Sequence, residues 1–220
     1  MTREVLYNTN VTKEEKVKEI IKRLRKVYPH PKTALNFSTP LDLLVATIMS
    51  AQTTDKLVNT LTPALFAKYK TAKDYADAPV EDITKLISKV NFANNKAKNI
   101  KAAAQIIVEK HEGKVPDNME ELDALPGVAR KTANVVLGNA YHKAEGIVVD
   151  THVMRLSQKL GLTDKKDPEK IEQDLMQIVP KEDWIDFAHM LILFGREYCP
   201  ARPHKCDDCP LSDLCPDQKV

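Results

Sequence analysis

No cysteine occurs in the first 198 residues of this 220-residue chain. That leaves no disulfide framework for the body of the protein, which must rely on an apolar core. A run of about 18 apolar residues, enough for a membrane-spanning helix, is also missing. The N-terminal MTREVLYNTN carries no apolar stretch of the kind a secretory signal needs. A cytoplasmic protein with no membrane attachment is therefore expected. Net charge is only +2, which gives no argument for nucleic acid by itself, although a balanced chain can still carry a basic face. Internal repeats, low-complexity linkers, hairpin signals and sustained period-two alternation are absent too, which argues against repeat architectures and β folds.

What is present is soluble-globular composition, 43% hydrophobic and 29% charged, in enough chain for one or two domains. Proline and glycine cut the sequence into helical lengths, so the fold class reads as all-α. Thr12 and Glu15 form a capping box ahead of an apolar stripe of Val17, Ile20, Ile21, Leu24 and Val27 that ends before Pro29. The same segment, KEEKVKEIIKRLRK, holds seven basic and three acidic residues and reads as an amphipathic helix with a solvated charged side. Further helices are expected over Pro40–Ser50, Asp55–Tyr69, Val80–Ile87 and Asn94–Lys110, with Asp55 as the N-cap of the second of these and short helical turns around Asn118–Leu122. Beyond these, helices are expected to end near Ala140, to start at Asp150, to follow Asp167 with Pro168 in the first turn, and to run from Asp183 to Tyr198. GIVVD, residues 146–150, reads as an extended segment threading the core.

LPGVARKTA, residues 125–133, joins two helical stretches in the manner of a helix-hairpin-helix. Leu125 would anchor it, Pro126 would preset one turn dihedral and Gly127 would supply a positive φ. The amides of Val128, Ala129 and Arg130 are then expected to lie unpaired at a helix N-terminus, a ready phosphate site that ignores base sequence. Lys131 falls in the first turn of that helix beside Arg130, where the positive end of the macrodipole and a second cation both disfavour an ammonium. Two readings follow: a phosphate-binding lysine, or a free amine acting as a nucleophile.

Asp150 follows an apolar run and precedes a helix, so it suits an N-cap, and a capping carboxylate held there can also serve as a proton acceptor or electrostatic stabiliser. His152 reads as a local hydrogen-bonding residue. Cys199, Cys206, Cys209 and Cys215 make a C-x6-C-x2-C-x5-C pattern. In a reducing compartment four such thiols suit a metal centre, and the spacing alone leaves tetrahedral zinc and a 4Fe-4S cluster both open.

LPGVARKTANVV, the downstream VVDTHVMRL and the cysteine pattern, in this order, resemble the endonuclease III family of base-excision DNA glycosylases, over nearly the whole chain from the first helix to Cys215. The resemblance implies that Lys131 attacks C1′ of a damaged nucleotide, displaces the base and forms a Schiff base that leads to strand cleavage by β-elimination. It implies that Asp150 is the carboxylate of that reaction and that the four cysteines hold a structural 4Fe-4S cluster. Arg202 and Lys205, flanking His204 in the loop between the first two cysteines, would add a phosphate contact. Because a lysine cannot reach C1′ of a stacked nucleotide, the base must be extruded. The resemblance assigns Gln52 to the gap left behind and Phe92 to an apolar wedge. Gly127, Val128, Ala129 and Arg130 would hold the DNA backbone.

The sequence departs from the family pattern at Ala129, where a second glycine is usual, and is expected to answer with an αR alanine that still offers its N–H. Asn91 replaces a usual glycine and Ala93 a bulkier residue, which leaves a core role for Phe92 as the alternative. The implied architecture is two all-α lobes, a central barrel-like domain over 33–144 and a discontinuous cluster domain of 1–32 and 145–220, with Lys131 and Asp150 on the two sides of the junction. Oxidised pyrimidines in damaged double-stranded DNA are the expected substrate, and the protein is expected to act as a monomer. Two other readings are weighed against this one. An adenine glycosylase would lack the lysine and use a glutamate where residues 43–54 here contain no carboxylate. A non-catalytic binder with a zinc loop would leave abasic DNA uncut.

Overall fold

The computed structural model describes residues 12–216, which are helical with no strand among them. They divide into two compact units, one of Thr33–Glu145 and one formed by the described parts of Met1–Lys32 and Gly146–Val220.

The first unit holds α2 (Pro40–Ser50), α3 (Asp55–Lys68), α4 (Ala72–Asp77), α5 (Val80–Leu86), α6 (Ala93–Lys110), α7 (Met119–Asp123) and α8 (Arg130–Ala140). Helix α2 is buried almost all round, from Asp42 to Met49, because α3, α6 and α8 all pack on it. Its exposed partners compensate by being amphipathic: α6 turns Ala97, Ile100, Ala103, Ala104 and Ile107 inward and lies across α4 and α5 as well. Helix α4 has no counterpart in the sequence reading. Six residues are too few to show a helical period, and the element is set instead by a capping box, in which Thr71 Oγ1 accepts from the Asp74 amide and Asp74 takes the Thr71 amide. Asp55 is not the N-cap of α3. Thr54 is, accepting from the Leu57 amide at 3.3 Å, and Asp55 opens the first turn, where its charge complements the dipole.

The second unit holds α1 (Lys13–Val27), α9 (Thr151–Lys159), α10 (Pro168–Ile178) and α11 (Trp184–Glu197). Helix α9 packs on α10 and α11, and α1 on α10 and α11. The capping box of Thr12 and Glu15 forms, and Val17, Ile20, Ile21 and Leu24 are buried while Val27 is half-buried. The charged side of α1 is less solvated than expected. Lys13 donates to Leu162 O, Lys16 to Leu160 O, Arg23 to Asp213 and Pro210 O, and Arg25 to Asp183, so four of its seven cations tie down other parts of the unit. Residues 147–150 run without strand pairing, with Ile147 and Val149 in the core.

Candidate nucleic-acid interface and cysteine loop

The hairpin is a closed turn. Leu125, 2% exposed, seats it in the core of the first unit, and the Val128 amide donates to Leu125 O at 3.0 Å across Pro126 and Gly127. Proline at the second position and a glycine with φ +77° at the third are the pattern of a type II turn. Gly127 is needed twice over, since a Cβ there would also stand 2.8 Å from the Cβ of Asn99 on α6. This geometry corrects the expected amide set: the Val128 N–H is spent inside the turn. Ala129 is corrected too. It is the N-cap, extended at φ −100° and ψ 168° rather than αR, and no side chain caps the helix after it.

Helix α8 therefore begins at Arg130 with a bare first turn, whose amides lack intrahelical acceptors by the geometry of any helix start. Lys131 is its second residue, exposed, with no hydrogen bond or ion pair among the described residues, while Thr132, Ala133, Val136 and Leu137 behind it are buried. One side of α8 is thus fixed in the core and presents the lysine at the surface.

Asp150 caps α9 as the sequence suggested. Its Oδ1 accepts from the amides of His152 at 2.9 Å and Val153 at 2.8 Å, which fixes the carboxylate and keeps Oδ2 outside the cap. His152 sits against α11, with Nδ1 3.5 Å from Arg155 Nη2, and a Cβ on Gly195 would come within 2.8 Å of that ring nitrogen. Arg155, which the sequence reading passed over, donates to Cys199 O at 2.6 Å and Gly195 O at 3.2 Å, joining the Asp150 helix to the start of the cysteine loop.

Cys199, Cys206, Cys209 and Cys215 line one cavity, closed by the apolar side chains of Leu156, Leu160, Phe194 and Leu211. Burial pushes the Cys209 thiol up to about 11, opposed by the Leu211 amide and reinforced by the other three cysteines. Among the described residues no three His, Cys, Asp or Glu side chains converge as a ready ligand set for a metal ion. The four thiols surround a common space instead, and four cysteines are the donor set that both zinc and a 4Fe-4S cluster take. Arg202 and Lys205 are exposed on this loop, and His204 Nδ1 lies 2.9 Å from Arg202 O.

Gln52 and Phe92 are both exposed, and both have left-handed backbones, at φ 55° and 57°. Phe92 is 63% exposed, the one large hydrophobic side chain so placed among the described residues, so a core role for it is excluded. The structure brings these two residues together: Asn91 Nδ2 donates to Gln52 O at 2.5 Å, and the Asn91 amide to Thr53 Oγ1 at 3.3 Å. Beneath them lies Lys96, 6% exposed, whose ammonium donates to Met49 O, Ala51 O and Thr53 Oγ1 at 2.7, 2.5 and 3.1 Å. Burial lowers its pKa from the usual lysine value. Sequence reasoning missed Lys96, although the signal was there: a lysine in register with Ile100, Ala103, Ala104 and Ile107 stands on a buried helix face.

A sequence profile described as "HhH-GPD superfamily base excision DNA repair protein" matches residues 45–181. The chain is 50% identical to the endonuclease III of Synechocystis sp. over 93% of this chain and 94% of that one. It is 46% identical to the endonuclease III of Bacillus subtilis over 86% of each. Its structure is similar to that of a trapped covalent endonuclease III–DNA intermediate, with a TM-score of 0.89 and 40% identity over 95% of this chain and 98% of the other. The hairpin and the capped aspartate sit within the profile's 45–181, and the chain belongs to the endonuclease III family, the DNA glycosylases and abasic-site lyases of base-excision repair.

Proposed function

We propose that this protein removes oxidised pyrimidines from double-stranded DNA through Lys131 and cleaves the strand at the site it has emptied. The observation that carries the reading is an exposed lysine on an uncapped first helical turn, directly after a hairpin that its core anchors rigidly. Phosphate groups of the DNA take the first-turn amides and Arg130, which places the strand without reading it. Lys131 Nζ then attacks C1′ as the C1′–N bond breaks, and the base leaves with the bonding electrons and a proton. The amine gives up its own protons as the sugar ring opens to an imine. Loss of a 2′ proton expels the 3′ phosphate, and water returns the lysine. Asp150, held by its cap, stabilises the positive charge that develops on the sugar or takes up a proton.

Gln52 and Phe92 enter the duplex where the damaged nucleotide leaves it, which their exposure and shared platform support. The four cysteines hold a 4Fe-4S cluster, supported by the donor set around one cavity and by family membership. Its part is structural: it organises the loop that carries Arg202 and Lys205 toward DNA.

Borohydride reduction of the protein with a duplex carrying thymine glycol tests the central claim. A covalent protein–DNA complex is expected with the natural chain and none with Lys131→Gln. Strand cleavage by the natural chain without any trapped complex would refute the imine.

A further inference from the structure

Gln52 and Phe92 come from segments 40 residues apart, and each has a backbone conformation that side-chain-bearing residues adopt at a cost. Something must hold both. Helix α2 ends at Ser50 with no basic residue in its last turn, so its C-terminal carbonyls lack the cation that a helix end favours. Lys96 supplies it from α6. Its ammonium has three donors, and all three are used: Met49 O in the last turn of α2, Ala51 O at the C-cap, and Thr53 Oγ1 in the turn beyond. The Thr53 hydroxyl accepts from the Asn91 amide as well, and the Thr53 amide closes the turn on Ser50 O at 3.0 Å. Gln52, at the middle of that turn, is tied through its carbonyl to the Asn91 side chain, and Asn91 directly precedes Phe92. A buried ammonium without a carboxylate is retained only when its hydrogen bonds are complete, which makes this arrangement all-or-none.

We propose that Lys96, acting through Thr53 and Asn91, is a positioning residue that locks Gln52 and Phe92 into one prong before DNA is met, so that the base is extruded by a preassembled element. The proposal rests on the reading of Gln52 and Phe92 as the inserting side chains. Lys96 itself touches no DNA and takes no part in the chemistry at C1′. Asn91 is the link between the two segments, since its side chain reaches Gln52 O.

The test separates opening the duplex from cutting it. Lys96→Met keeps the stem and removes the charge. In single-turnover assays it is expected to slow excision of thymine glycol on the order of tenfold or more, in line with the sensitivity of catalysis to small misplacements. The fluorescence rise of a 2-aminopurine placed opposite the lesion should slow in parallel. Cleavage of a duplex with a preformed abasic site, where no base has to be expelled, should change by less than about threefold. Lys96→Met combined with Gln52→Ala should be no worse than the more damaging single change, because both remove the same element. Unchanged excision in Lys96→Met, an equal loss on both substrates, or full additivity with Gln52→Ala would each overturn the proposal. If Lys96→Met does not fold, the exposed Asn91→Ala tests the same link and should show the same split to a smaller degree; no split overturns the proposal. Normal excision by both Gln52→Ala and Phe92→Ala would instead refute the inserting roles themselves, whatever Lys96 does.

Discussion

The hairpin and the cysteine loop are both short irregular segments that carry or adjoin candidate functional side chains, yet they are held in opposite ways. The hairpin of residues 125–129 is clamped by apolar contacts, with Leu125 and Val128 buried at its two ends and Ala133, Val136 and Leu137 fully buried just beyond. The segment from Pro200 to Pro216 contributes one fully buried hydrophobic residue, Leu211. What else holds it is polar and cysteinyl: Arg23 on Asp213 at 3.0 Å and on Pro210 O at 3.1 Å, Arg155 on Cys199 O, and four thiols around a cavity. A turn fixed by core packing needs no cofactor to exist. A loop with so little apolar burial has charged straps, which contribute modestly where they are exposed, and on the proposed function a cluster on its four thiols would supply the rest. On the proposed function, Lys131 therefore stands on the region held by core packing, and Arg202 and Lys205 on the loop that the four cysteines organise.

The largest expected effect follows from removing one of the four thiols proposed to hold the cluster. Cys206→Ser should abolish the visible absorbance of the iron-sulfur protein and lower Tm by roughly 10 °C, as a loss of about 3 kcal/mol would in a chain of this size. Hydrogen exchange should locate the damage: amides of the cysteine loop and the end of α11 lose protection, while those of α6 and α8 keep it. Equal loss in α8 would break the contrast between the two regions.

On the hairpin side the matching change is Gly127→Ala. Positive φ and the 2.8 Å approach to Asn99 both oppose a Cβ there, so a cost of roughly 2 kcal/mol is expected. The signature should be the reverse of the cysteine variant, with full iron absorbance and weakened binding to abasic DNA. A variant that lost iron as well would show that the cluster depends on the hairpin.

A smaller difference between the regions should appear with pH. Burial lowers the pKa of His189 on α11 below its ordinary 6.5, with Asp186 opposing. The unfolded chain then takes up a proton before the folded one does, so stability is lost as pH falls from 6.5 toward the folded value and is level above it. Lys96 in the other unit is also lowered by burial, and for it the same rule makes stability rise with pH on the alkaline side, as the unfolded lysine alone still holds its proton. Mild acid should therefore loosen α11 and leave α6 unaffected, which residue-resolved exchange between pH 7.5 and about 5.5 would read. His189→Leu should flatten the acid limb, and an unchanged limb would assign it to other groups.

The same division explains what the sequence disclosed. Elements defined by a long period or a cap were legible, as α1 shows through Thr12, Glu15 and its apolar stripe, and α10 through Asp167 and Pro168. Local motifs also disclosed placement: Lys131 in the first turn after LPGVA, Asp150 as the N-cap after GIVV, and four cysteines close enough to line one cavity. What escaped were residues whose role depends on a partner far along the chain. Lys96 meets carbonyls 45 and 47 residues away, and Arg23 meets Asp213 across 190 residues, and neither pairing leaves a trace in local spacing. The Val128 amide escaped for another reason, since whether a turn closes on itself is decided by dihedrals and not by composition.

Ala129→Gly is the mildest change and the sharpest probe of how the hairpin works. At φ −100° and ψ 168° Ala129 is in extended backbone open to any residue, it is exposed, and nothing about the position requires the glycine usual in the family. Glycine is the better N-cap of the two, while its added freedom in the unfolded chain acts the other way, so the two effects should cancel to within about 0.5 kcal/mol. Affinity for a duplex with an abasic site should stay within about twofold, corresponding to roughly 0.4 kcal/mol. Restoring the family glycine and finding distinctly tighter binding would mean that a phosphate approaches closer than a Cβ at 129 allows. The anchoring of the turn by Leu125 and Val128 would then be only part of what the hairpin supplies, and the size of the gain would measure how much backbone approach adds to it.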